Sequence, residues 1–335
     1  MTAERAHAIG AFLDAAGWGG ALRSPLAGDA SFRRYERLAN DDATVVLMDA
    51  PPPQEDVRAF ARVAERLIGL GLSAPNILAR DEAAGLLLLE DFGDDTYTAV
   101  LGAGGDEAAL YGSALDLLIA LHQNYRDDGA LPPYDDERLL EEAALLVDWY
   151  LPALRGDGTP GDVRAEYLEL WRESFATARA MPSTLVLRDY HVDNLMWLPD
   201  RPGVAACGLL DFQDAVIGPV TYDLVSLLED ARRDVPADLA RDLLGRYLAA
   251  FPELDGQAFA ASYAVLGAQR SAKILGIFTR LDRRDGKPVY LEHIPRVWRW
   301  LEGGLAHPAL ARLEAWFARE VPPEDRRAPA PGVAA

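Results

Sequence analysis

The apolar residues of this chain change their spacing near residue 90, and no other feature of the sequence constrains the fold as much. Before that point the pattern is mostly strand-like. Residues 31–38 alternate as a half-buried strand does, and residues 44–48 (Thr-Val-Val-Leu-Met) read as a second, more buried one. Asn40, Asp41 and Asp42 between them supply turn chemistry, and Pro51, Pro52 and Pro53 end the second strand. Asp56 stands where it can cap a helix in which Val57, Phe60, Val63, Ala64, Leu67 and Ile68 recur at helical spacing. Residues 86–90 form a further short buried strand. An earlier helix is predicted over residues 3–16, with Ile9, Phe12 and Leu13 on one face and Gly17 to Gly20 breaking it. After Asp91 the apolar spacing turns helical, over residues 110–122, 139–154, 163–180, 239–251, 259–279 and 294–301. The expectation is an α+β chain: a strand-rich part over residues 1–90, a helical part over 91–320, and a tail over 321–335, rich in Pro, Ala and charge, without fixed structure.

One island interrupts the helices. Leu185-Val186-Leu187-Arg188-Asp189 and Ala205-Ala206-Cys207-Gly208-Leu209-Leu210-Asp211 are two short apolar runs that each end in an aspartate, and they read as one small polar-tipped hairpin. Asn194 follows Asp189 by five residues. Phosphoryl transfer asks for parts of this kind. A triphosphate needs Mg²⁺, which prefers hard oxygen ligands. The acceptor hydroxyl needs a positioned carboxylate to take its proton. Asp189 is therefore the candidate base, and Asn194 and Asp211 are the candidate metal ligands of a small-molecule kinase using ATP and Mg²⁺. His191 is assigned a hydrogen bond that steadies the loop, and His122 a structural place.

Composition narrows the field. The formal net charge is −20, from 33 Lys and Arg against 53 Asp and Glu. That balance argues against nucleic acid or an anionic membrane as partner, since phosphate-rich polymers need a basic footprint. The acidity serves solubility or lines a pocket for a cationic substrate. Cys207 is the single cysteine, so no internal disulfide or cysteine metal cluster can form, and it reads as a buried core thiol. No signal pattern opens the sequence and no apolar stretch approaches the ~20 residues that span a bilayer, so a cytoplasmic protein is expected. There is no Gly-x-x-x-x-Gly-Lys-Ser/Thr loop, no Gly-x-Gly-x-x-Gly after a strand and no Gly-x-Ser-x-Gly elbow. P-loop NTPases, dinucleotide-binding dehydrogenases and serine hydrolases of that type are thereby disfavoured. The five histidines show no zinc-like spacing.

Asp189-x-x-x-x-Asn194, Asp211 at the end of its apolar run, and Gly218-Pro219 followed by Tyr222-Asp223-Leu224 resemble the aminoglycoside phosphotransferase-type, protein-kinase-like family, over roughly residues 22–300. The resemblance implies a bilobal kinase-like fold with a small antiparallel-sheet N-lobe for nucleotide and a mainly helical C-lobe for catalysis and substrate. It makes Asp223 a support of the catalytic loop rather than a reactant. It also implies an adenine-binding linker at Glu90, Asp91 and Phe92. The chain departs from the family pattern at Leu187-Arg188, where His-Gly is usual, at Val192-Asp193, where Pro-Gly is usual, and at Met48, where a phosphate-binding lysine is usual. Only Lys273 and Lys287 exist. The phosphate clamp then falls to Arg33, Arg34 or the backbone of Gly28, Asp29, Ala30 and Ser31.

A closer likeness lies in residues 28–35, 47–52, 188–191, 210–215 and 228–236, which resemble the bacterial cell-wall-recycling kinases that phosphorylate N-acetylmuramate and N-acetylglucosamine at C1; Met48 is similar to that group too. The implied acceptor is an amino sugar, and the candidate substrate residues are Arg33, Tyr190, His191, Asp214, Glu229, Asp230, Arg270 and Lys273. Arg270 and Lys273 lie on one helical face, where they would meet a carboxylate of the sugar or form a solvated basic face. Two other readings stay open: a phosphotransferase acting on an aminoglycoside or another alcohol, and a pseudokinase that binds nucleotide without turnover. The sugar and ATP are the expected partners, with no nucleic acid or membrane, and a monomer is expected.

Overall fold

The computed structural model describes residues 2–26 and 33–332. Gly28, Asp29, Ala30 and Ser31 lie outside the described residues. Nine strands are present among those described: β1 (Leu22–Pro25), β2 (Arg34–Ala39), β3 (Thr44–Asp49), β4 (Ile77–Asp81), β5 (Leu86–Glu90), β6 (Ser183–Val186), β7 (Leu195–Trp197), β8 (Cys207–Leu209) and β9 (Val216–Pro219). By its contacts the chain forms two compact units. The first is Met1–Leu121 with Val192–Ala215; the second is His122–His191 with Val216–Ala335.

The first unit is built on an antiparallel five-stranded sheet in the order β1-β2-β3-β5-β4. β5 lies between β3 and β4 and its four leucines are all buried, so it reads as a continuous apolar run without alternation. Asn40 closes the β2–β3 turn, its Oδ1 accepting the N–H groups of Asp42 (3.1 Å) and Ala43 (2.9 Å). Asp56 caps the helix Val57–Gly69 by accepting the Arg58 N–H at 2.9 Å. The helix Ala3–Ala15 buries Ile9 and Leu13 against Leu38, Val45, Leu47, Leu86 and Leu88. The edge strands β1 and β4 carry mixed, exposed residues and gave no apolar signal.

The expected small hairpin is replaced by two separate ribbons. β6 pairs with β9 in the second unit, and β7 pairs with β8 in the first. The reason is local: β7 follows Asn194 directly and offers β8 a nearer partner, with Leu195 opposite Leu209. Backbone bonds from Leu209 N–H to the Ser73 carbonyl (2.7 Å) and from Trp197 N–H to the Asp95 carbonyl (2.8 Å) hold that ribbon in the first unit.

The second unit is organised by the 30-residue helix Gly256–Asp285. Around it pack the helices Asp136–Leu145, Gly161–Ala178, Ile294–Leu305 and Ala311–Glu320, with Tyr150, Tyr167, Trp171, Trp298, Trp316 and Phe317 in the core. The helix expected over 139–154 is interrupted by a π-turn at Leu146–Tyr150, where the Leu151 N–H reaches back five residues to the Leu146 carbonyl. Pro152, with no N–H of its own, cannot continue a regular ladder there. The tail also differs from expectation. Val321 is buried, the Arg327 carbonyl accepts Tyr150 Oη at 2.7 Å, and the Ala330 carbonyl accepts Arg283 at 2.7 Å. Residues 321–332 thus supply acceptors to donors of the core, which composition alone does not reveal. Cys207 is buried, as expected. His122 bonds Tyr247 Oη through Nδ1 at 2.7 Å, and burial holds it down to about 3.

Gly276 lies where the long helix meets the end of the helix Asp136–Leu145. A Cβ added there would come within 2.3 Å of the Leu145 carbonyl carbon. Gly276→Val should therefore cost about 1–3 kcal/mol and lower the Tm by several degrees in a calorimetric scan. An unchanged Tm would mean that the helix pair is not in close contact.

Candidate active site

β6 is apolar and buried through Leu185 and Val186, so it is rigid where it emerges. Two residues beyond it stands Arg188, at φ +71°; Asp211 is at φ +54°. Among the described residues these are the only non-glycines with positive φ. Each costs of order 1–3 kcal/mol and persists only where the surroundings over-determine it. The turn at Arg188 is closed by a bond from the Asp189 N–H to the Leu187 carbonyl, 2.9 Å. What holds it is Asp223, whose carboxyl accepts the N–H groups of Leu187 (2.7 Å) and Arg188 (2.9 Å), while Ser226 Oγ donates to the Arg188 carbonyl at 3.1 Å. Burial pushes Asp223 up to about 7, against the pull of those two N–H groups. Asp189 behaves oppositely. Burial pushes it up as well, but Lys273, then His191, Arg188 and Arg270, hold it below the usual carboxylate range.

In the first unit, Leu210 N–H donates to the Asn194 carbonyl at 2.9 Å, so Asn194 and Asp211 leave the same end of the β7–β8 ribbon. Asp211 Oδ1 accepts Gln213 Nε2 at 2.9 Å and Arg33 Nη2 at 3.2 Å. Arg33 is buried and also lies 3.9 Å from Glu55. Burial lowers its pKa, but Tyr35, Asp211, Glu55 and Asp214 raise it further, so the guanidinium stays charged. An amide oxygen and a carboxylate are the hard donors Mg²⁺ prefers, and the pair fits that ion. Among the described residues no group of three or more His, Cys, Asp or Glu could hold a metal, so phosphate oxygens or water would complete such a shell.

The linker after β5 spends its acidic side chains on structure. Glu90 accepts Asn76 Nδ2 at 2.7 Å and pairs with Arg201. Asp91 takes Arg37 through both nitrogens at 2.6 and 3.0 Å and the Gly93 N–H at 3.0 Å. Phe92 lies under the Arg201 guanidinium, 4.8 Å from the ring centroid, and Arg201 also donates to Ser73 Oγ at 2.8 Å. Met48, in the place of the usual lysine, is buried in β3 opposite Tyr35 and Leu87.

The second unit gathers most of the candidate substrate residues. Tyr190 and His191 are buried; burial holds His191 below its usual range, against Asp230. Asp230 is buried and accepts the Arg232 N–H at 2.8 Å. Burial pushes Glu229 up to about 7, against Arg270 and a bond from Tyr263. Arg270 donates to the Glu229 carbonyl at 3.3 Å. Arg270 and Lys273 are 6% and 8% exposed, so the alternative of a solvated basic face is ruled out. Lys273 Nζ bonds Glu142 at 3.1 Å. Asp214 is exposed and belongs to the first unit. Sequence reasoning missed Glu142 and Arg201. Glu142 sits in an ordinary charged helix and Arg201 in a Pro- and Asp-rich loop, and neither pattern carries a signal.

Comparison with known proteins places the chain in a family. The family described as "Phosphotransferase enzyme family" matches residues 23–257. A protein of Caulobacter vibrioides named N-acetylmuramate/N-acetylglucosamine kinase is 43% identical, covering 98% of this chain and 99% of that one. A protein of the same name from Pseudomonas aeruginosa is 42% identical over 89% of each. A solved choline kinase of Streptococcus pneumoniae superposes with a TM-score of 0.62 at 13% identity, over 90% of this chain and 100% of that one. At such identity the likeness is one of fold, and the fold is the expected bilobal, α+β, kinase-like one. No helix among the described residues is long and apolar enough to cross a membrane.

Glu229 gives a pH-dependent test. Its raised pKa means that its contribution to stability is fully present below the unfolded carboxyl value, about 4, and is lost as pH rises through about 7. Glu229→Gln removes that loss. Its Tm relative to the unmutated protein should rise between about pH 5 and pH 8; a difference constant across that window would show that Glu229 titrates as an ordinary surface carboxylate.

Proposed function

The chain belongs to the phosphotransferase enzyme family, and we propose that it is an ATP-dependent sugar kinase that phosphorylates the anomeric C1 hydroxyl of N-acetylmuramate and N-acetylglucosamine in peptidoglycan recycling. The observation that carries this reading is the pair of strained residues, Arg188 and Asp211, each set just beyond a short buried strand. Strain of this kind is kept where a side chain must be aimed. The names of the relatives support the amino-sugar acceptor.

In this reading Asp189 is the base. Its lowered pKa keeps it ionised at neutral pH, ready to accept the proton of the sugar hydroxyl. Asn194 and Asp211 offer an amide and a carboxylate oxygen to Mg²⁺. The ion, when bound with ATP, neutralises phosphate oxygens and lowers the charge that the attacking hydroxyl meets. Arg33 stands beside Asp211 as a cation for phosphate, in the role that Met48 cannot fill. Residues 1–90 serve the nucleotide, the backbone of Glu90, Asp91 and Phe92 holds its base, and residues 91–320 serve catalysis and the sugar. Tyr190, His191, Glu229, Asp230 and Arg270 contact the sugar, with Asp214 from the segment after Asp211. The protein works as a cytoplasmic monomer.

Mg²⁺-dependent ATP consumption with N-acetylmuramate, N-acetylglucosamine and kanamycin tests the acceptor. Turnover is expected with the two amino sugars, giving an acid-labile C1 phosphate seen by ³¹P NMR. Turnover with kanamycin alone would make the protein an aminoglycoside phosphotransferase, and ATP binding without any turnover would make it a pseudokinase. Asp189→Asn should lower kcat by roughly 10²–10⁴-fold while leaving nucleotide affinity nearly unchanged. Asp211→Ala should abolish metal-dependent nucleotide binding. Near-normal kcat in Asp189→Asn would remove the base assignment.

A further inference from the structure

One arginine of the first unit, which sequence patterning left aside, ties the linker after β5 to the β7–β8 ribbon. Arg201 lies in the connection between β7 and β8. Its Nη2 donates to Glu90 Oε1, its Nη1 donates to Ser73 Oγ at 2.8 Å, and its guanidinium lies 4.8 Å from the Phe92 ring centroid. The other carboxylate oxygen of Glu90 accepts Asn76 Nδ2 at 2.7 Å and the Asn76 N–H at 3.2 Å. Ser73 is bound to the ribbon as well. Its Oγ donates to the Ala205 carbonyl at 2.7 Å, and its carbonyl accepts the Leu209 N–H at 2.7 Å. On β8, a Cβ added at Gly208 would come within 3.1 Å of Phe92 Cδ2, so the ribbon backbone packs against that ring too.

The Arg201 and Glu90 side chains are 30% and 28% exposed, and an ion pair so placed adds little to stability. What it supplies is geometry. A guanidinium is flat and carries five N–H donors, so it can stack on a ring while donating to two acceptors; an ammonium group cannot do all three. We propose that Arg201 is a positioning residue for the nucleotide base. It fixes the backbone of Glu90, Asp91 and Phe92 in the shape that reads the base edge, and so sets the preference for adenine. The proposal rests on the reading that this backbone holds the base of ATP, and deepens it by naming what holds the backbone. Arg37 secures Asp91 separately, at 2.6 and 3.0 Å. The β7–β8 ribbon thereby serves both parts of the nucleotide. Asn194 and Asp211 leave one end of it for the metal and phosphates, and Arg201 stands in the connection at the opposite end for the base.

Equilibrium binding of ATP, GTP and tripolyphosphate, with Mg²⁺ present, tests this in Arg201→Met and Arg201→Lys. The unmutated protein should favour ATP over GTP, because a site built to hydrogen-bond one base edge rejects an edge with donors and acceptors exchanged. In Arg201→Met the ATP affinity should fall about tenfold, the worth of about one hydrogen bond, and the preference over GTP should shrink by a similar factor. Tripolyphosphate, which has no base, should bind as before. Arg201→Lys should behave as Arg201→Met does; a preference restored by lysine would make charge alone the cause and overturn the proposal. A purely structural tie would weaken all three ligands together or none of them, and either result overturns it, as does equal affinity of the unmutated protein for ATP and GTP. Binding needs no turnover, so a lost ATP preference supports the proposal even if neither amino sugar is a substrate. Sugar turnover with an unchanged ATP preference in Arg201→Met sinks this proposal and leaves the kinase reading standing. Should Arg201→Met fail to fold, Glu90→Gln decides. It removes the carboxylate that Arg201 grips, and must lower the ATP preference while sparing tripolyphosphate; an unchanged preference overturns the proposal.

Discussion

The two hydrogen bonds from Leu187 and Arg188 N–H to the Asp223 carboxyl are what the candidate catalytic loop depends on. Without them the left-handed backbone at Arg188 keeps only the Ser226 bond and the turn's own Asp189 N–H bond to hold it. The bonds are strong because Asp223 is buried on a helix whose seven residues are all buried. The same burial is costly for a carboxylate, and it lifts Asp223 to about 7. Support of the loop and an unfavourable place for charge are thus two consequences of one position.

The neighbouring charges follow the same logic. Lys273 and Glu142 are buried and Arg188 is half-buried, and both cations pair with Glu142. Buried ion pairs are weak evidence for stability, since desolvation offsets much of their attraction. Such a cluster is better weighed by the partners it fixes than by the stability it adds. Lys273, then His191, Arg188 and Arg270, hold Asp189 below the usual carboxylate range against the effect of burial.

Local chemistry made much of the fold legible. Asp56 announced its helix, Asn40 its turn, and the four leucines of β5 a buried strand. The edge strands β1 and β4 were silent because an exposed strand needs no apolar pattern. The π-turn at 146–150 and the ordered residues 321–332 were also silent. One turns on a missing N–H at Pro152, the other on donors of Tyr150 and Arg283 far away in the chain. Glu142 and Arg201 were illegible for a similar reason, since a charged residue declares itself only through its partners.

The sequence by itself determined the chemistry at hand: a carboxylate, an amide five residues on, and a second carboxylate after an apolar run, in an acidic chain with helices around them. Those are properties of residue type and spacing, and spacing along a strand or loop survives into the fold. The tertiary structure alone decided which strands pair, β6 with β9 and β7 with β8, and which charges face Asp189. Pairing and electrostatics act through space between residues far apart in the chain, 131 positions for Glu142 and Lys273, and no local pattern encodes such a distance.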